Sequence, residues 1–162
     1  MKNNLVSPLL IFFCLLLISP LGASESYYSK EFTLKNLEGE VVNFSSFKDA
    51  KASVLFFWTS WCPFCLKELK RLNEEFAEYE KQGIIILPIN VGESSQRVQR
   101  LKQNYALGFP LYLDEQATVA DLYDVLGVPM YILIDKDAQI RYRSTRFPQE
   151  ELKQLINDVT KN

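Results

Sequence analysis

The sequence predicts an α/β fold in which a mixed central sheet carries helices on both faces. Three observations lead there. Strand-like and helix-like periods alternate along the chain, two of the strand-like segments are apolar almost throughout, and the series closes with a hairpin and an amphipathic helix. A strand apolar on both sides needs cover above and below the sheet.

The elements follow in order. Phe32 and Leu34 alternate with polar neighbours, Glu38-Gly39 signals a turn, and Val42 and Phe44 resume the alternation, so residues 32–44 predict an N-terminal β-hairpin. Ser53–Thr59 is a buried strand. From Pro63 to Gln82, Leu66, Leu69, Leu72, Phe76 and Tyr79 recur at steps of three and four, the spacing of one helix face. Pro63 suits the first helical position and Gly83 the position just past the end. Ile84–Val91 is a second buried strand. Ser94 or Ser95 caps a helix running to about Tyr105, and Leu111–Asp114 follows Phe109-Pro110 as a short strand. Thr118–Leu126 predicts a brief helix. Met130–Asp135 and Ile140–Thr145 flank Lys136-Asp137-Ala138-Gln139, a turn sequence, and Pro148 opens a last helix with Leu152, Leu155, Ile156 and Val159 on one face.

Ahead of these elements, Lys2 precedes an apolar run, Leu9–Ile18, that ends at Ser19-Pro20-Leu21-Gly22-Ala23-Ser24. Residues 1–23 therefore predict a secretory signal cut after Ala23 or Ser24, with an uncleaved anchor over Leu5–Ala23 as the alternative. Cys14 follows bulky Ile11, Phe12 and Phe13 and reads as an apolar member of that segment rather than a lipid site. Residues 24–31 are polar and predict a linker, leaving residues 32–162 as one domain. Localisation is then periplasmic or otherwise extracytoplasmic, with the membrane touched only through the N-terminal segment.

Composition narrows the function. Apolar residues form 48% and charged residues 23% of the chain, which suits a folded domain. A net charge of -2 gives no general attraction for nucleic acid, and a monomer without nucleic-acid partners is expected.

Without the N-terminal segment, Cys62 and Cys65 remain. A bridge between residues this close closes a loop too small to restrain the unfolded chain much, so reactivity explains the pair better than stability. The predicted strand ends at Trp58-Thr59-Ser60-Trp61 and the helix begins at once. Cys62 is thereby placed at a helix N-terminus, where unpaired N–H groups and the helix dipole favour a thiolate. Cys62 is the expected nucleophile. Cys65, one turn on and less exposed, can attack a mixed disulfide at Cys62 and release the partner. A zinc site would want a second pair or His, and the chain has no His. Haem attachment would want His where Leu66 stands. No metal and no cofactor are expected.

Phe57-Trp58-Thr59-Ser60-Trp61-Cys62-Pro63-Phe64-Cys65, followed by Gly127-Val128-Pro129-Met130-Tyr131-Ile132-Leu133-Ile134-Asp135, resembles the TlpA/ResA-type branch of the thioredoxin superfamily. The resemblance covers about Phe32 to Val159 and includes the N-terminal hairpin and a central αβ insertion near Val91–Asp114. It implies a thioredoxin-like fold, a redox disulfide between Cys62 and Cys65, and a cis peptide at Val128-Pro129 beside the cysteines. It also implies a substrate-binding surface of Trp61, Pro63, Phe64, Val128, Pro129 and Met130, with Trp58 in the core. Two positions depart from related patterns. Phe56 stands six residues before Cys62, where many thioredoxins carry a buried Asp, and Met130 follows Pro129 where relatives often have Thr. Glu68, three residues after Cys65, resembles a Glu that this branch places there and is the candidate for moving protons. Its alternative is a solvated helix Glu paired with Arg71.

The expected activity is exchange of electrons with disulfides of exported partner proteins. The absence of His between the cysteines points to a reductant or a mild oxidant. Reduction of apocytochrome c in cytochrome c maturation is what the resemblance implies, and a reductant outside the cytoplasm needs a membrane electron donor. The alternatives are a mild disulfide oxidase or isomerase, a thiol peroxidase, and a noncatalytic binding module. A peroxidase pattern wants Pro where Leu55 precedes Thr59. Arg141 and Arg143 share a predicted strand face, solvated unless it serves docking.

Overall fold

The computed structural model describes residues 28–47 and 49–160. Its strands are β1 (Thr33–Asn36), β2 (Val41–Asn43), β3 (Ala52–Trp58), β4 (Ile84–Val91), β5 (Tyr112–Asp114), β6 (Met130–Asp135) and β7 (Ile140–Ser144). Its helices are α1 (Pro63–Lys81), α2 (Ser95–Asn104), α3 (Thr118–Leu122) and α4 (Gln149–Thr160). A 3₁₀ turn over Phe44–Phe47 follows β2. The seven strands form one sheet in the order β2-β1-β5-β4-β3-β6-β7.

β3 sits inside this sheet with β4 parallel on one side and β6 antiparallel on the other. All seven of its residues are buried, as an apolar run with a neighbour on each edge requires. Alternation sends Val54, Phe56 and Trp58 to one face, under Leu69, Leu72 and Phe76 of α1, Val98 of α2 and Leu152 of α4. Leu55 and Phe57 go to the other, against Val119 of α3, Tyr123 and the hairpin residues Phe32, Leu34 and Phe44. Full burial of a Leu such as Leu69 or Leu55 stabilises the fold by about 1.5–3 kcal/mol, so truncation on either face is costly.

Local chemistry sets the ends of α1. Pro63 occupies its first turn, and Gly83, at φ +79°, takes the left-handed position after the C-terminus while its N–H reaches the Glu80 carbonyl at 2.9 Å. α3 is shorter than the sequence predicts. It stops at Leu122, where Asp124 turns left-handed at φ +50° and the Val125 N–H closes onto the Ala120 carbonyl at 2.9 Å.

The expected linker needs a correction at its end. Residues 28–31 are tied to the domain: the Ser29 N–H donates to the Ala138 carbonyl at 2.7 Å, and the Lys30 N–H and carbonyl both bond the Tyr123 hydroxyl, at 3.0 and 2.7 Å. Buried Tyr123 needs a partner for its hydroxyl and finds it in this backbone. The expected signal or anchor over residues 1–23, with Cys14, lies outside the described residues. Among the described residues no helix is long and apolar enough to cross a membrane.

Candidate active site

β3 delivers the chain to Thr59 and Ser60, and α1 begins two residues after Trp61. Cys62 is the N-cap residue of α1, with extended backbone at φ -89° and ψ 109°, and its Sγ accepts the Cys65 N–H at 3.2 Å. The capping atom that is usually a side-chain oxygen is here the sulfur. That N–H and the positive end of a 19-residue helix favour negative charge on Sγ. Cys62 and Cys65 form a disulfide with Cα atoms 5.2 Å apart. Cys62 keeps 4% of its surface exposed and Cys65 none, so attack from outside must come at Cys62.

The Val128-Pro129 peptide is cis, and the Val128 carbonyl oxygen lies 3.9 Å from Cys62 Sγ. Met130 pairs with Phe57 in the β3–β6 ladder, and this register sets Val128 and Pro129 beside the sulfurs. Trp61 and Phe64 are 66% and 76% exposed, while Val128, Pro129 and Met130 are half-buried around them. Pro63 is exposed between them. Trp58 is fully buried. Leu126, two residues before Val128, is 99% exposed, although the sequence places it inside a helix that in fact ends four residues earlier.

Glu68 does not meet either sulfur in the described hydrogen bonds. Its Oε1 accepts from Arg71 Nε at 3.1 Å and Nη2 at 2.5 Å, with its side chain 17% exposed. Arg71 also pairs with Glu75 and lies over the Phe147 ring at 4.4 Å. The pairing with Arg71 expected as the alternative is therefore present, in a half-buried rather than a solvated setting. Phe56 stacks on Tyr131 with ring centres 4.6 Å apart, and burial, followed by the nearby Glu68 charge, pushes the Tyr131 phenol far up. The place of a buried Asp is thus filled by an aromatic pair.

Sequence reasoning missed Glu93. This buried carboxylate accepts four donors: the Ser60 N–H at 2.6 Å and Asn90 Nδ2 at 2.7 Å on Oε2, the Ser60 hydroxyl at 2.5 Å and Arg97 Nε at 2.8 Å on Oε1. It clamps the turn before Cys62 onto the start of α2. The available signal was Asn90, a polar residue ending an otherwise apolar strand, with an acid three residues later. Arg143, read on a solvated or docking face, instead donates to the Tyr123 carbonyl behind α3, and Arg141 pairs with Asp135 at 3.7 Å. Among the described residues no group of three or more metal-ligating side chains gathers.

A family model described as the AhpC/TSA family matches residues 28–143. The chain is 33% identical over 130 residues to the thiol-disulfide oxidoreductase ResA of Geobacillus thermodenitrificans, covering 80% of this chain and 74% of that protein. The chain belongs to the AhpC/TSA family, among its ResA-type thiol-disulfide oxidoreductases. Among solved structures, StoA from Bacillus subtilis is similar with a TM-score of 0.65 and 25% identity, covering 78% of this chain and 96% of that one. A secreted Mycobacterium tuberculosis disulfide oxidoreductase, described as homologous to DsbE of E. coli, is similar with a TM-score of 0.65 and 24% identity over 78% of this chain and 95% of that one. The thioredoxin-like fold is the one these ResA-type relatives share, and thiol-disulfide oxidoreduction is the activity of this enzyme.

Proposed function

We propose that this ResA-type protein is exported and reduces disulfides in partner proteins, with apocytochrome c before haem attachment as the substrate that the family resemblance implies. The observation that carries the reading is the sulfur of Cys62 capping α1 and accepting the Cys65 N–H. Reduced Cys62 attacks one partner sulfur as a thiolate, forming a mixed disulfide and expelling the other partner sulfur as a thiolate. Cys65 loses its proton and attacks the Cys62 sulfur, which releases the second partner thiolate and leaves the Cys62–Cys65 disulfide. Two electrons pass from the enzyme to the partner, and the partner's sulfurs take up protons.

Trp61, Phe64, Val128, Pro129 and Met130 seat the apolar flank of the partner's cysteine, and Glu68 serves the proton transfers at Cys65 from its place on α1. A membrane-borne dithiol donor restores the reduced form, since the compartment is oxidising. The apolar run over Leu9–Ile18 and the secreted Mycobacterium neighbour support export.

The test uses a Cys65→Ser protein and a peptide disulfide. The reduced variant forms a stable mixed disulfide at Cys62, visible by mass, and the reduced parent protein converts one equivalent of peptide disulfide to free thiols while its own Cys62–Cys65 disulfide forms. No adduct with the variant would refute the exchange. Equilibration with glutathione buffers gives direction: a potential well below that of glutathione fits a reductant, and one above it makes the protein an oxidase.

A further inference from the structure

A polar groove of about 500 Å³ opens beside the Cys62 turn. Ser60 and Leu66 line it from the turn and α1, and Arg97, Arg100 and Tyr105 line it from α2 and its C-terminal end. β4 and β6 lie on opposite sides of β3, so the groove under the helix that follows β4 and the Val128-Pro129 segment that leads into β6 flank the sulfurs from two directions.

The groove is cationic in a chain whose net charge is -2. None of its lining residues is acidic. Arg97 is 58% exposed, and its Nε is held by Glu93 at 2.8 Å and the Ser60 hydroxyl at 2.7 Å. That double grip uses the inner nitrogen and turns the outer edge of the guanidinium, the edge suited to a carboxylate, toward the groove. Among the described residues Arg100 bonds only Gln96, at 3.2 Å from Nη2 to Oε1 and 3.4 Å from Nε to the backbone oxygen. Lys70 extends the patch, its Nζ 4.9 Å from the centre of the Tyr105 ring. Three cations thus face one carboxylate, and that carboxylate is buried behind Arg97.

We infer that this groove receives an acidic stretch of the partner polypeptide that flanks its disulfide. The inference rests on the exchange reading and adds to it the charge of the substrate. With Arg97 fixed by the turn that carries Cys62, a carboxylate held there lies in register with the attacked sulfur. Exposed charges of this kind act mainly on the rate of encounter, so the signature is kinetic and sensitive to salt.

The experiment compares two disulfide peptides that differ only in three residues on one side of the bridge, glutamate in one and glutamine in the other. Reduced protein is expected to reduce the acidic peptide about tenfold faster at an ionic strength near 0.01 M, with the advantage mostly lost near 0.5 M. A Lys70→Glu/Arg100→Glu protein is expected to lose that preference and still reduce the glutamine peptide at the parent rate, which also reports an intact fold. Equal rates for the two peptides at low salt, or an acidic preference that survives in the double variant, would overturn the inference. Failure to reduce either peptide would refute the exchange reading itself, and the groove assignment would fall with it.

Discussion

Glu93 offers the most discriminating perturbation, because its two oxygens hold four donors with different alternatives. Replacing it by Ala strands the Ser60 N–H and the Asn90 amide, which sit in or against the core, while Arg97 can turn to water. A buried Asn90 amide and a half-buried Ser60 N–H without acceptors cost about 1–3 kcal/mol each, so Glu93→Ala should lose about 2–6 kcal/mol, a large part of a domain's stability. Gln behaves differently. Its oxygen in the place of Oε2 keeps Ser60 N–H and Asn90, its amide donates to the Ser60 hydroxyl, whose own proton turns elsewhere, and the exposed Arg97 loses the carboxylate but keeps the Ser60 oxygen. Glu93→Gln should therefore cost only about 1 kcal/mol, the net value of an ordinary hydrogen bond. Urea denaturation of the oxidised protein measures both, and hydrogen exchange at the Ser60 amide shows whether the loss is local. Equal losses for Ala and Gln, or an Ala loss under about 1 kcal/mol, would show that the carboxylate does not clamp the turn.

Three further outcomes are expected. Reduced protein carrying Cys65→Ser should be alkylated at neutral pH faster than free cysteine, and equal rates would contradict charge stabilisation at the N-cap. Leu126→Ser, at a side chain 99% exposed, should change stability by less than about 0.5 kcal/mol yet raise KM for disulfide peptides with apolar flanks. Burial pushes the Tyr123 phenol up to about 12, against the partial offset of the Lys30 backbone. An unfolded tyrosine ionises near 10, so between about pH 10 and 12 the unfolded chain binds fewer protons than the folded one, and stability falls as pH rises through that window. In Tyr123→Phe the drop in urea midpoint from pH 9 to pH 11 should be smaller than in the parent protein, and an identical drop would remove Tyr123 from the alkaline transition.

What the sequence revealed was written in neighbouring residues. Apolar runs marked β3 and β4, Pro63 and Gly83 bracketed α1, and two thiols at the start of that helix declared the chemistry. What it concealed depends on contacts between distant segments. Glu93 reaches Ser60 across 33 positions and Tyr123 reaches Lys30 across 93, and no periodicity reports either meeting. Leu126 was misplaced because a left-handed Asp124 ends α3, a conformation that Asp adopts without advertising it. Glu68 and its pairing with Arg71 were legible from their three-residue spacing on one helix, while the half-burial of that pair and the Phe147 ring over Arg71 depend on the distant segment before α4.

Because β6 runs against β3, the place where one strand finishes is the place where the other sets out. The reactive sulfurs follow the first and the cis Val128-Pro129 segment leads into the second, joined by a ladder six residue pairs long. Attacking atom and the proposed docking segment therefore belong to a single stiff bracket. An incoming polypeptide must adjust its own shape to that fixed gap, which makes selectivity a matter of how readily the substrate, and not the enzyme, deforms.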